Sequence, residues 1–275
     1  MGIIMRFPEG KAKAFAMSYD DGIYQDIQFV DIISRYGLKC TFNVNGIIPK
    51  KDAEEDYDRL SIKQIKELYV KGGHEVALHS YSHPTLVDLS ADQVTYEYIK
   101  NREVLENELG KIIRGSAYPN NKFNDTVVQS LKSCGVSYAR GGVETESFDL
   151  PNDWYRFMPT ARHTNPKLLE ITDKFLELEP LFFRTSALFL LMGHSFEFGR
   201  DNNWNLISEF ATKISGHKNV WYATCIEIFD YVNAFKQLRF NLAGTMVENP
   251  TSQDIWIMMN KKSYKIPASA TVILE

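Results

Sequence analysis

The sequence predicts an α/β fold: a parallel α/β barrel or an open parallel sheet. Short apolar runs alternate seven times with amphipathic stretches at helical spacing. One of them, residues 186–193, is a continuous apolar run, as a strand buried on both faces requires. Polar clusters fall at the ends of four runs, where strands hand over to loops and a barrel gathers its catalytic groups.

The first strand is expected at 14–19. A helix follows at 26–36, with Ile27, Val30 and Ile33 on one face and Gly37 as its stop. A second strand is expected at 40–44. Ser61 and Gln64 form a capping box that opens a helix carrying Ile62, Ile65 and Leu68, closed by Gly72 and Gly73. The third strand is 75–79. Ser90 and Gln93 form a second capping box, and that helix carries Val94, Tyr98, Leu105 and Leu109 before Gly110. Strands are expected at 111–118 and 136–140, flanking a helix at 125–134. The segment 141–160 has the least regular pattern in the chain. A helix at 167–178, the strand 186–193, a helix at 204–214, a seventh strand at 220–224 and a helix at 225–238 complete the alternation. Beyond it the pattern changes to short β-type runs, 254–259 and 270–274, between turn residues. The expected division is therefore 1–240 as the main domain and 241–275 as a small β-rich C-terminal appendage.

The chain has 275 residues and a formal net charge of −4, with no basic stripe of the kind that nucleic-acid binding needs. No apolar run reaches membrane-spanning length, and the first ten residues lack the basic start and long apolar core of a signal peptide, so the expectation is a cytoplasmic protein without nucleic-acid or membrane partners. Cys40, Cys134 and Cys225 are widely spaced and odd in number; they fit buried free thiols and not a disulfide framework.

Asp20 and Asp21 stand side by side at the end of the first strand. Adjacent carboxylates repel, and a bound cation would give the fold a reason to keep both, although Asp21-Gly22 is also a common turn pair. His79 and His83 end the third strand with three residues between them, and neutral imidazole suits zinc and related divalent ions. Two histidines and a carboxylate make a three-ligand set that leaves room for water, the pattern of a catalytic metal site. His194 emerges from the most apolar strand, as a proton shuttle against low-dielectric walls does. His74 is expected to make a buried structural hydrogen bond. His163 and His217 have no supporting context and are expected either at the surface or behind the site residues; Glu197 is a candidate to stand behind them, which the sequence does not decide.

With these residues assembled, the chain resembles the polysaccharide deacetylase family (carbohydrate esterase family 4). The resemblance spans roughly residues 15–224. Its most specific parts are Ser18-Tyr19-Asp20-Asp21-Gly22, similar to the family's TFDDG, and His79-Ser80-Tyr81-Ser82-His83, similar to its H-[ST]-x-x-H. The resemblance implies a distorted seven-stranded (β/α) barrel of the deacetylase type. It also implies a divalent metal, Zn2+ with Co2+, Ni2+ or Mn2+ as alternatives, held by Asp21, His79 and His83, with Asp20 as general base. Leu190–Ser195 resembles the late Leu-x-His motif and makes His194 the general acid. Ala117-Tyr118-Pro119 resembles a variant third motif, so the Tyr118 backbone N–H would face the oxyanion. Asp149–Trp154 loosely resembles the motif that packs a Trp and an Asp against the catalytic His, which brings in Asp153 and Trp154. The Arg that orients Asp20 is Arg140, Arg114 or Arg156. Tyr81 and Trp154 are candidate sugar-stacking residues.

The implied activity is metal-dependent removal of acetyl groups from N-acetylated or O-acetylated carbohydrate. The alternatives are a hydrolase of the same fold acting on a non-sugar linear or cyclic amide, and a catalytically silent glycan-binding homologue.

Overall fold

Eight strands form the main sheet in this computed structural model, which describes residues 2–179 and 186–274. The chain begins with β1 (Ile4–Arg6) and β2 (Lys13–Asp20), then α1 (Asp26–Ser34), β3 (Thr41–Val44) and α2 (Ile62–Ile65), which a π turn at Lys66–Val70 extends. Next come β4 (Glu75–Leu78), α3 (Ala91–Leu109), β5 (Gly115–Ala117), α4 (Asp125–Ser133), β6 (Tyr138–Arg140), β7 (Ala161–Arg162) and α5 (Leu168–Glu177). They are followed by β8 (Ala187–Gly193), α6 (Phe196–Arg200), α7 (Trp204–Ile214), β9 (Val220–Tyr222) and α8 (Cys225–Lys236). The chain closes with β10 (Arg239–Phe240), β11 (Met246–Asn249), β12 (Ile255–Met259), β13 (Lys262–Ile266) and β14 (Ala270–Ile273).

The parallel strands run β6-β5-β4-β3-β2-β8-β7. β9 wedges against the first half of β2 (Lys13↔Val220), while β3 holds its second half (Asp20↔Asn43). Phe157 bridges to Arg140 of β6, and four residues later Ala161 pairs with Leu191 of β8. The segment from Phe157 to Arg162 thus spans the gap between the two ends of the curled sheet, giving the distorted seven-position barrel that the sequence predicts.

Every residue of β2 and β8 is buried. On β2 the alternation sorts the two faces. Phe15, Met17 and Tyr19 pack outward beneath the helices, with Phe29, Phe210 and Phe198. Ala14 and Ala16 face the concave side with Leu188 and Leu190. The same alternation carries Ser18 and Asp20 to the concave side, nearer the carboxyl end. Below them the concavity is filled by Tyr138, Phe157, Ile228 of α8 and residues of the C-terminal β segment, including Val247, Ile255, Ile257 and Ile266. Glu75 ties sheet to helix there: its carboxylate accepts from Thr41 Oγ1 (2.7 Å), Tyr138 OH (2.8 Å) and the Ile226 N–H (2.9 Å) in the first turn of α8.

The capping boxes at Ser61 and Ser90 form as predicted, and Gly110 ends α3 at φ +64°. A third box, Thr224 with Glu227, opens α8 and was not anticipated. The fourth strand is much shorter than the predicted 111–118: Ile112 is exposed beyond the end of α3, and only Gly115–Ala117 pairs with neighbouring strands. Five strands went unpredicted: β1, β7 and β10, at two or three residues too short to show periodicity, and β11 and β13 of the C-terminal segment. β1 joins an antiparallel sheet with β12 and β13, and β10, β11 and β14 form another. All three cysteines are free and buried, and His74 Nδ1 accepts from the Cys40 N–H at 3.1 Å. Among the described residues, no helix is long and apolar enough to cross a membrane. The last residue of the predicted appendage, Glu275, lies outside the described residues.

Candidate metal and catalytic site

The site forms at the carboxyl ends of β2, β4 and β8. Asp20 is the last residue of β2. Asp21 follows at φ +82°, with its N–H bonded to Asn43 O at 3.0 Å. Ser80 (φ +59°) and His83 (φ +63°) also adopt left-handed conformations, which turn the loop after β4 back on itself. Three non-glycine residues held there cost backbone free energy that the surrounding structure must offset. Asn45 donates to His79 O (2.6 Å), Asn101 Oδ1 accepts the His79 N–H (3.0 Å), and Glu97 of α3 accepts from both Ser82 N–H (2.8 Å) and Ser82 OH (2.7 Å).

The result is a convergence of three donors. His79 Nε2 and His83 Nε2 each lie 3.7 Å from Asp21 Oδ1, and one ligand atom from each of the three residues falls within 4.8 Å of the others. His79 Nδ1 lies 3.0 Å from Ala117 O. A carbonyl only accepts, so Nδ1 carries the proton and Nε2 keeps its lone pair toward Asp21. The donor set of two imidazole nitrogens and one carboxylate oxygen therefore fits a divalent ion of the zinc type, with open coordination positions.

Asp20 is held beside this group. Its Oδ1 accepts from Arg140 Nη2 and from Asn43 Nδ2 (2.8 Å), and Oδ2 lies 3.8 Å from His194 Nε2. Burial alone would raise the Asp20 carboxyl, but the Arg140 guanidinium, with His79 and His194, outweighs it and holds the pKa at about 2. His194 Nε2 is also 3.9 Å from Asp21 Oδ2. Burial pulls the His194 pKa down, but Glu197, Asp20 and Asp21 overcome it and the net shift is upward.

Of the three candidate arginines, only Arg140 reaches Asp20. Arg114 forms a two-pronged pair with Asp230 of α8 (2.9 and 2.6 Å), and Arg156 pairs with Asp153 and Asp125. Asp153 caps the turn at Trp154–Arg156 through the Tyr155 N–H and does not meet His194. Trp154 is buried against Phe157 and Phe229, in the cluster that fills the barrel below the site, and offers no ring to a sugar. The Tyr118 N–H is already spent: it donates to Arg140 O at 3.0 Å in continuation of the sheet, so it does not face the site as an oxyanion donor. The Tyr118 hydroxyl donates to Tyr155 O (2.9 Å) and its ring stacks on Phe123. Tyr81 lies between the two histidines, packed across Gly46 and edge-on to Tyr96.

Sequence reasoning left two buried neighbours undecided. His163, on the residue after β7, sits 3.3 Å from Glu197 Oε2, and Glu197 lies 3.5 Å from His194 Nδ1. The spacing of Glu197 three residues after His194 was a signal, but only a helical turn at α6 brings the two together.

Residues 8–139 match the family model described as polysaccharide deacetylase. This segment belongs to the polysaccharide deacetylase family. It contains Asp20, Asp21, His79 and His83 and stops before Arg140, His194 and Glu197. A chitin deacetylase of Pestalotiopsis is 25% identical over 140 residues, covering 50% of this chain and 45% of that protein. The chain spans less than half the length of the curated relatives it matches. A candidate polysaccharide deacetylase from Mycobacterium smegmatis superposes with a TM-score of 0.61 at 17% identity, over 85% of this chain and 94% of that one. A family 4 carbohydrate esterase from Streptomyces lividans, solved with acetate, gives 0.51 at 18% identity, over 78% and 93%. At these identities the superpositions establish the barrel fold.

Proposed function

We propose that this chain is a metal-dependent deacetylase acting on N-acetylated carbohydrate. One observation carries the reading: at one mouth of the barrel a three-donor metal group, its ligand atoms within 4.8 Å of one another, meets an imidazole, His194, that stands 3.9 Å from Asp21 and 3.8 Å from the ionised Asp20. Asp21, His79 and His83 would hold the ion, which when bound supplies Lewis acidity toward an acyl carbonyl and a water molecule.

Asp20 is kept ionised by Arg140, and its Oδ1 is occupied by Arg140 and Asn43. Oδ2 is the oxygen that faces the site, and it takes the proton of the attacking water. His194 presents Nε2 to the same space and delivers a proton to the departing nitrogen. An amine anion is a very poor leaving group, so this protonation matters more for amides than for esters. A positioned acid of this kind contributes about 10²–10⁴-fold. The family match and the chitin deacetylase relative support an acetylated sugar as the substrate class.

The test is acetate release by metal-loaded protein from N-acetylglucosamine oligomers, peptidoglycan fragments and acetylated xylan, with Asp20→Asn as control. Release from the first two that the variant abolishes is the expected result. No release from any of them, with one ion bound per chain, would overturn the proposal.

A further inference from the structure

Glu197 is buried, yet four groups converge on it. Its Oε2 lies 3.3 Å from the backbone nitrogen of His194 and 3.5 Å from the same residue's Nδ1. Oε2 is also 3.3 Å from His163 Nε2, and Arg162 Nη2 donates to Oε1 at 3.0 Å and to Oε2 at 3.3 Å. A carboxylate offers only acceptors, so a hydrogen bond to it from either imidazole requires the N–H on that side; His194 Nδ1 and His163 Nε2 stand close to it without good hydrogen-bond geometry and have no other partner. That assignment is consistent one step further out. The Tyr19 hydroxyl meets His163 Nδ1 at 3.1 Å, and the hydroxyl can donate there when Nε2 carries the proton.

His163 is itself fixed. Its ring stacks on Phe198 (centroids 4.1 Å) and lies parallel to Tyr19 (5.6 Å). A Cβ on Gly193 would fall 1.9 Å from His163 Nδ1, so the glycine before His194 is what lets the ring fit against the strand. Tyr19, His163 and Arg162 together leave Glu197 one orientation, and Glu197 in turn faces the nitrogen of His194 that points away from Asp20 and Asp21.

We propose that Glu197 is the positioning residue of the acid His194. Backed by the Tyr19–His163 pair and Arg162, it fixes the proton on Nδ1 and aims Nε2 at the leaving group. The sequence resemblance gave this place to Asp153, which is bound elsewhere. The proposal rests on the deacetylase reading for its kinetic consequence but not for its geometry. It makes Glu197 matter in proportion to how badly the leaving group needs a proton.

The test uses the metal-loaded full chain and the near-isosteric Glu197→Gln, compared on an N-acetylglucosamine oligomer and on 4-nitrophenyl acetate, whose phenolate leaves without protonation. The expected result is a fall in kcat on the amide of about 10²-fold at unchanged KM and metal content, with the aryl ester little affected. Glu197→Asp keeps the charge one methylene short and recovers part of the amide rate. In nitrogen-15 spectra, the hydrogen-bonded Nδ1–H resonance of His194, assigned by its loss in His194→Gln, moves or disappears in Glu197→Gln. Equal losses on amide and ester, or an unmoved Nδ1–H resonance, would overturn the proposal. If the unaltered protein releases no acetate from sugars, the deacetylase reading fails, and the Nδ1–H resonance still decides whether Glu197 orients His194.

Discussion

Arg140 and Asp20 form an ion pair from which water is excluded on both sides, with side-chain exposures of 0% and 4%. Arg140 also donates to Ser18 Oγ and Gly141 O, so its guanidinium is nearly saturated inside the protein. Removing one partner of such a pair strands the other charge. Arg140→Met should therefore cost about 3–5 kcal/mol of stability, measured by denaturant unfolding, and abolish turnover. A loss below 1 kcal/mol would mean that water reaches Asp20 more freely than its burial implies.

Asp20 and Asp21 are neighbours with opposite assignments, and metal content separates them. Asp20→Asn should retain the ion and lose turnover, because Asp21, His79 and His83 remain. His79→Ala should lose both. Mass spectrometry of the native proteins after dialysis reads this directly, and equal metal loss in the two variants would exchange the roles of the carboxylates.

Glu75 provides a pH test remote from the site. Burial raises its pKa from the ordinary 4.5 to about 7, against the lowering effect of hydrogen bonds from Ile226, Thr41 and Tyr138. Between those two values the folded protein binds more protons at this position than the unfolded chain, so this carboxyl's contribution to stability falls as pH rises. Glu75→Gln should gain stability relative to the unaltered protein as pH goes from about 4.5 to about 7, seen as converging or crossing Tm curves. Parallel curves would show that Glu75 stays ionised throughout.

Ile257 of the C-terminal segment is fully buried in the cluster beneath the site, the cluster that also holds Leu188 and Leu190. Ile257→Ala should cost about 2–5 kcal/mol by urea unfolding and leave metal affinity unchanged, since it enlarges a cavity without touching a ligand. Tight metal binding lost along with stability would instead tie the segment to the site.

The residues that the sequence made legible are those that break an apolar pattern. Asp20, Asp21, His79, His83 and His194 each end a strand whose burial is written in its own side chains, and the structure gathers all five. Arg140 was one candidate among three because nothing local distinguishes an arginine that folds inward from one that pairs on a helix, as Arg114 does with Asp230. Asp153 and Trp154 were misplaced because their segment has no periodicity to anchor a face. Tyr118 was misread for a different reason: the motif locates its N–H, but whether that N–H is free depends on the register of β5 with β6, which long-range pairing sets. His163 stayed undecided between the surface and a place behind the site, since β7 is only two residues long.

The pairing of β1 with β12 joins Ile4 to Met258. A chain emerging from the ribosome can assemble β2 through β6 with local helices, but its opening strand has no partner until some 250 residues later. Until then Met5 lacks its strand partner Ile257, although Phe7 already has Trp221 and Tyr231 beside it, and the leucines of β8 lack the part of their cluster that the C-terminal segment supplies. The segment from β11 to β14 thus closes an apolar underside that the earlier strands do not close by themselves. A nascent or truncated chain that stops short of it presents a bare apolar underside, the kind of surface that chaperones and proteases recognise.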